Sequence, residues 1–135
     1  MKHFDISELV DKKTYFDQGE KAFAYFDEDA LIMLDDLREF FGSPVTVNNW
    51  KNGGKFQWRG LRNPSSPVYS QGSMHSKGSA FDCDIKGYTA EDARKIILAN
   101  QNHELLKRIM RIEADVNWLH IDNKPVSKRI YLFKA

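Results

Sequence analysis

The chain has 135 residues, 41% of them hydrophobic and 29% charged, and a formal net charge of +1. That size and balance fit one domain around a single core and exclude a disordered chain. The near-neutral charge gives no basic excess of the kind a nucleic-acid partner draws, so none is expected. A single cysteine cannot form an intrachain disulfide, which frees the fold from any oxidising compartment.

The N-terminus, "MKHFDISELV", lacks the apolar run of a signal peptide, and no window approaches the ~20 apolar residues of a membrane span. The expectation is a soluble protein synthesised in the cytoplasm, without a signal peptide and without a membrane partner. A target outside the cell would have to be reached by another route.

In chain order, Ser7 is a candidate cap for a short helix from Glu8 to Thr14, ended by a turn at Gly19. Asp27 is the expected cap of a stronger helix, Glu28 to Phe41. Leu31, Leu34, Leu37 and Phe41 recur there at three- and four-residue steps, and Gly42 stops it. "VTVNN" then reads as a short strand with Val45 and Val47 on one face. From Asn48 to Ser73 the chain is rich in Asn, Gly, Ser and Pro, with Trp50, Phe56, Trp58 and Tyr69 interspersed and Arg59 and Arg62 in "WRGLR". Long loops with little regular structure are uncommon in small domains and are usually functional.

"SAFDCDI" reads as the next strand. Thr89 caps a helix that turns Ala93, Ile96 and Ile97 inward, and a short helix is expected from His103 to Arg108. "RIMRIE" and "VNWLHID" look like two strands joined by a tight turn at Ala114-Asp115, and "KRIYLF" like a last strand. This order predicts a single α+β domain built on an antiparallel sheet.

Alternate residues of a strand point to opposite faces. In "AFDCDI", Phe81, Cys83 and Ile85 share one face, opposite Ala80, Asp82 and Asp84. In "NWLHID", Leu119 and Ile121 share a face, opposite Trp118, His120 and Asp122. If the two strands are neighbours, Asp82 and His120 line a common surface, and Gly78 lets the preceding loop fold His75 back towards them. Two imidazoles and a carboxylate suit zinc with one position left open. Such a centre lowers the pKa of bound water to about 7 and polarises a carbonyl, the chemistry of amide hydrolysis. A rival reading makes Cys83 a nucleophile with His75 or His120 as base. Its parity opposes that, because it places the thiol on the apolar face.

The same residues carry a resemblance. "SMHSKGSAFD" is similar to the Ser-x-His-x-x-Gly-x-Ala-x-Asp signature of zinc D-Ala-D-Ala carboxypeptidases and related phage endolysin peptidases. "WLHID" resembles that family's second element, Trp-x-His-x-Asp. "LDDLREFFGSPVTVNNW…WRGLR" resembles its helix-strand-loop segment, so the likeness runs from about Leu31 to Asp122. It implies the hedgehog/DD-peptidase fold, an antiparallel sheet with helices packed on one side, in a protein expected to be a monomer. It also implies zinc on His75, Asp82 and His120, with Ser73 a supporting hydroxyl in the substrate site. Arg62 would hold a substrate carboxylate or carbonyl, with Arg59 as its alternative, and Trp118 would shape the cleft. Many members place an acid three residues before the second histidine, where this chain has Asn117, which cannot take a proton. Other branches use a glutamate from the strand upstream. Glu113 fits that role as general base, with Asp115 as the second choice. Ser79 also stands where a long basic residue is frequent. The implied function is hydrolysis of peptidoglycan peptide bonds by a protein released or carried by a phage. The alternative is a non-catalytic zinc-binding phage structural or wall-binding domain.

Overall fold

In the computed structural model, which describes residues 1–134, the N-terminal segment is organised by two aspartates. Asp5 and Glu8 form a reciprocal capping box around a 3-10 turn, Ile6–Glu8. Asp11 then accepts the Thr14 amide and opens helix α1, Lys12–Gln18. The expected helix from Glu8 therefore starts later, and Ser7 is not its cap. A carboxylate three residues ahead of a free amide caps better than a hydroxyl already bonded to Asp5. A 3-10 stretch, Gly19–Tyr25, leads to helix α2, Glu28–Phe41, where Asp27 accepts the Ala30 amide and left-handed Gly42 ends the helix.

The remaining elements are β1 (Val45–Thr46), β2 (Ala80–Ile85), α3 (Ala90–Ala99), β3 (Arg111–Glu113), β4 (Leu119–Asp122) and β5 (Tyr131–Phe133). Thr89 caps α3 as expected. The helix expected at His103–Arg108 is a single 3-10 turn, Glu104–Leu106, whose cap is His103 itself.

The sheet order is β1-β2-β4-β3-β5. The first three pairings are antiparallel, but β5 runs parallel to β3, so the sheet is mixed rather than wholly antiparallel. Residues 123–130 reverse the chain after β4 and carry it past β3 to the sheet edge, which sets that direction. Periodicity in "KRIYLF" predicts a strand but carries no information on its partner.

Phe81, Cys83, Ile112, Leu119 and Ile121 form the inner face of the sheet. They join Met33, Leu34 and Leu37 of α2, and Ala93 and Ile97 of α3, in one buried cluster. Burying each large side chain contributes roughly 1.5–3 kcal/mol. With that face filled by helices, the polar alternates of β2 and β4 are directed to the other. Asp82 pairs directly with His120 in the β2–β4 register, which makes the two strands the neighbours that parity required.

Candidate metal centre

His75 reaches this surface through a tight loop. Its amide donates to Ser73 Oγ at 3.1 Å, the Gly78 amide donates to the His75 carbonyl, and the Ser79 amide to the Met74 carbonyl. Gly78 has φ +66°, and a Cβ there would lie 2.3 Å from the Tyr25 carbonyl oxygen and 2.6 Å from Phe26 Cα. Only glycine meets both the backbone angle and the approach. Ser73 thus lines the cleft and braces the ligand loop.

Three side-chain atoms converge. Asp82 Oδ1 lies 2.9 Å from His120 Nδ1 and 3.3 Å from His75 Nε2, and one ligand atom from each residue falls within 4.8 Å of the others. All three residues are buried, at 3–6% exposure, so water does not screen them.

The outer nitrogens determine what the inner ones can do. His75 Nδ1 lies 2.9 Å from the Gly60 carbonyl oxygen, which only accepts, so Nδ1 carries the proton and Nε2 of a neutral ring presents a lone pair. His120 Nε2 lies 2.8 Å from Asp122 Oδ2, and Arg111 grips Asp122 through three contacts of 2.8–3.2 Å. Asp122 is fully buried and accepts from both neighbours. Neutral His120 therefore also turns a lone pair towards Asp82 Oδ1. Three acceptors facing one another require a shared proton or a cation between them. Nitrogen, nitrogen and carboxylate oxygen, each oriented by an outer hydrogen bond, is a donor set that suits a divalent transition metal.

The electrostatics agree. Burial pushes the Asp82 carboxyl up, but its contacts with His120 and His75, attractive when a proton is shared between them, outweigh it and hold it well below the usual carboxylate range. Burial pushes His120 down, and its bonds to Asp122 and Asp82 reverse that, raising it to about 9. Asp122 is likewise opposed by burial and lowered by His120 and Arg111. A cationic His120 between two carboxylates is the arrangement a metal ion would replace by displacing its proton.

The centre opens into a cleft of ≈ 300 Å³ lined by Arg62, Ser73, Glu113, Trp118, Arg111 and Lys124, among others. Arg62 donates from Nε to the Trp58 carbonyl at 2.7 Å and from Nη2 to Asp82 Oδ2 at 3.0 Å. Arg59 is instead committed to Asp84 by two bonds, at 2.9 and 3.2 Å. Glu113 Oε1 lies 4.0 Å from His120 Nδ1. Asp115, at φ +62°, is exposed and pairs with Lys134. Of the two candidate bases, only Glu113 lines the cleft. Trp118 forms part of the cleft mouth, whereas Trp50 packs on Tyr15 and Phe16 and donates to the Val10 carbonyl. Cys83 is fully buried, and burial pushes its thiol far above the ordinary range, which removes the nucleophile reading.

Sequence reasoning missed the role of Arg111 and of Asp122. Asp122 shared the face of His120, two residues away, and that spacing was the available signal. Arg111 gave none, because it meets Asp122 only through the β3–β4 register. Compared with protein-family models, curated proteins and solved structures, the chain has no match.

Proposed function

We propose that the protein is a zinc-dependent peptidase that hydrolyses peptide bonds in bacterial peptidoglycan. The observation that carries this reading is Glu113, a carboxylate lining the cleft 4.0 Å from a ligand nitrogen of His120. A purely structural metal site is closed and has no use for an acid at that distance, whereas hydrolysis needs one. When bound, zinc supplies Lewis-acid polarisation of the scissile carbonyl and acidifies water. Glu113 then accepts a proton at its carboxylate from the attacking water and delivers it to the leaving amine. Arg62 is fixed by Trp58 and Asp82, which leaves Nη1 without a partner among the described residues and available to a substrate carbonyl or carboxylate. The buried outer contacts of His75 and His120 keep both rings in the ligating tautomer.

The likeness to the hedgehog/DD-peptidase fold is part of the same proposal. It draws support from helices packed on one sheet face and a polar cleft on the other. Release by lysis or carriage in a virion is the proposed route to the wall.

Mass spectrometry of purified peptidoglycan treated with zinc-loaded protein tests the reading. New amine and carboxyl ends are expected from the native chain, and none from Glu113→Gln, which should still bind one zinc. General-base loss of this kind costs about 10²–10⁴ in rate. Zinc without cleavage of any wall chemotype would favour the non-catalytic wall-binding domain, and no zinc binding would end both readings.

A further inference from the structure

Beside the metal cleft lies a second cavity of ≈ 350 Å³, and Arg62 lines both. Its walls include Gln18 from α1, Tyr25, Asn63, Tyr69 and Ser76. Among the described residues no carboxylate, lysine or histidine lines it, and Arg62 at the boundary is the one charged group. Tyr25 and Tyr69 are 48% and 39% exposed. Gln18 Nε2 donates to the Tyr25 hydroxyl at 2.6 Å, which fixes the phenol and leaves the amide oxygen of Gln18 as an acceptor. Asn63 is held at Asp11 and Thr14, and Ser76 at the Ser70 carbonyl. The wall is therefore stiff without being apolar.

Aromatic faces with amide and hydroxyl groups at fixed positions, and almost no charge, match a ligand that is itself uncharged, rich in hydroxyls and ring-shaped. A second stretch of wall peptide fits less well. Its free carboxylates and amines would be desolvated here with a single guanidinium as the only counter-charge. We infer that this cavity is a saccharide subsite, which takes an N-acetylated hexose of the glycan while the attached peptide occupies the metal cleft. The inference rests on the peptidase reading for the source of the glycan, but the chemistry of the cavity stands apart from cleavage. Arg62 marks the junction, at the point where sugar gives way to peptide. Holding both parts at once adds the two weak affinities into one effective association.

Two-dimensional amide NMR of the full zinc-loaded chain, titrated with N,N′-diacetylchitobiose, tests this without requiring cleavage. Saturable shifts are expected at Asn63, Tyr69 and Ser76, with little change at Glu113. Tyr69→Ala should weaken binding about tenfold, the loss of one good contact, and Gln18→Ala should weaken it less. Both residues lie at the surface, so loss of folding does not confuse the result. Absent shifts, shifts insensitive to both variants, or displacement of the sugar by a sugar-free stem peptide would overturn the subsite. If the protein cleaves, a sugar-bearing muropeptide should show a KM about tenfold below that of the free stem peptide at similar kcat. Equal KM values would also overturn it. Failure of the peptidase reading shows differently, as no cleavage of either substrate with the NMR result intact.

Discussion

Asp122→Asn changes one atom at the back of the candidate metal centre and should weaken zinc binding far out of proportion to its size. Asp122 Oδ1 receives the Lys124 amide at 3.1 Å and Arg111 Nε at 3.0 Å. An NH₂ group there would face two donors, so the amide oxygen of the variant must take the Oδ1 position. Its nitrogen then falls at Oδ2, 2.8 Å from His120 Nε2 and 2.8 Å from Arg111 Nη2. The arginine can pivot towards Oδ1, but the imidazole has no second partner on that side. His120 Nε2 must become an acceptor, which moves its proton to Nδ1, the atom that faces Asp82. A ring in the wrong tautomer cannot ligate without rearranging. Second-shell losses of this type cost about 10–100-fold in metal affinity, equivalent to about 1.4–2.8 kcal/mol. Competition against a chromophoric chelator at pH 7 measures it, with circular dichroism to confirm the fold. Zinc affinity within twofold of the native chain would show that Asp122 does not set the tautomer of His120.

Metal-free protein should lose stability as pH rises from 6.5 to 9.5. His120 is raised in the fold from 6.5 to about 9, so its contribution is fully present below 6.5 and vanishes through 9. Asp82 and Asp122 are lowered from 3.8, so theirs is present above 3.8 and lost as pH falls below it. Urea midpoints in chelator, from below pH 3.8 up to 9.5, check both limbs, and a midpoint that climbs between pH 6.5 and 9.5 would contradict the first. Cys83 should resist a thiol reagent for hours in native protein and react at once in denaturant, while Cys83→Ala should take up zinc to the same extent as the native chain. Rapid native labelling would restore the thiol as a candidate. Gly78→Ala should cost about 1–3 kcal/mol, because a left-handed backbone angle and a clash with the Tyr25 carbonyl coincide. Thermal melts measure this, and zinc affinity should fall with it because the loop carries His75. A melt unchanged from the native chain would show that the backbone yields freely.

What could be read from the sequence was what alternation and local chemistry decide. Parity placed Asp82 and His120 on one face and Cys83 on the other, since strand geometry allows no other arrangement of "AFDCDI" and "WLHID". Local caps at Asp27 and Thr89 were legible for the same reason: each contact spans three residues. Asp5 and Asp11 were overlooked in favour of Ser7, although carboxylates compete well for the same free amides. The contacts that orient the ligands were not legible. Gly60 meets His75, and Arg111 meets Asp122, only after a long loop and a hairpin have closed, and the parallel direction of β5 depends on the same closure.

Asn117 stands apart from the metal cleft. Position 117 lies in an exposed bend two residues ahead of β4, where strand alternation does not apply, and it lines a separate cavity with Asp84 and Arg94. A side chain at 117 lines that cavity rather than the metal cleft. In this chain the face-sharing pair Arg111 and Glu113 on β3 supplies the charged groups that an acid at 117 could not. Arg111 holds Asp122 behind the ring of His120, while Glu113 stands in front of it at 4.0 Å. Two residues one alternation apart thus serve opposite sides of the same imidazole. The β3–β4 register that pairs Arg111 with Asp122 is what keeps Glu113 at the cleft.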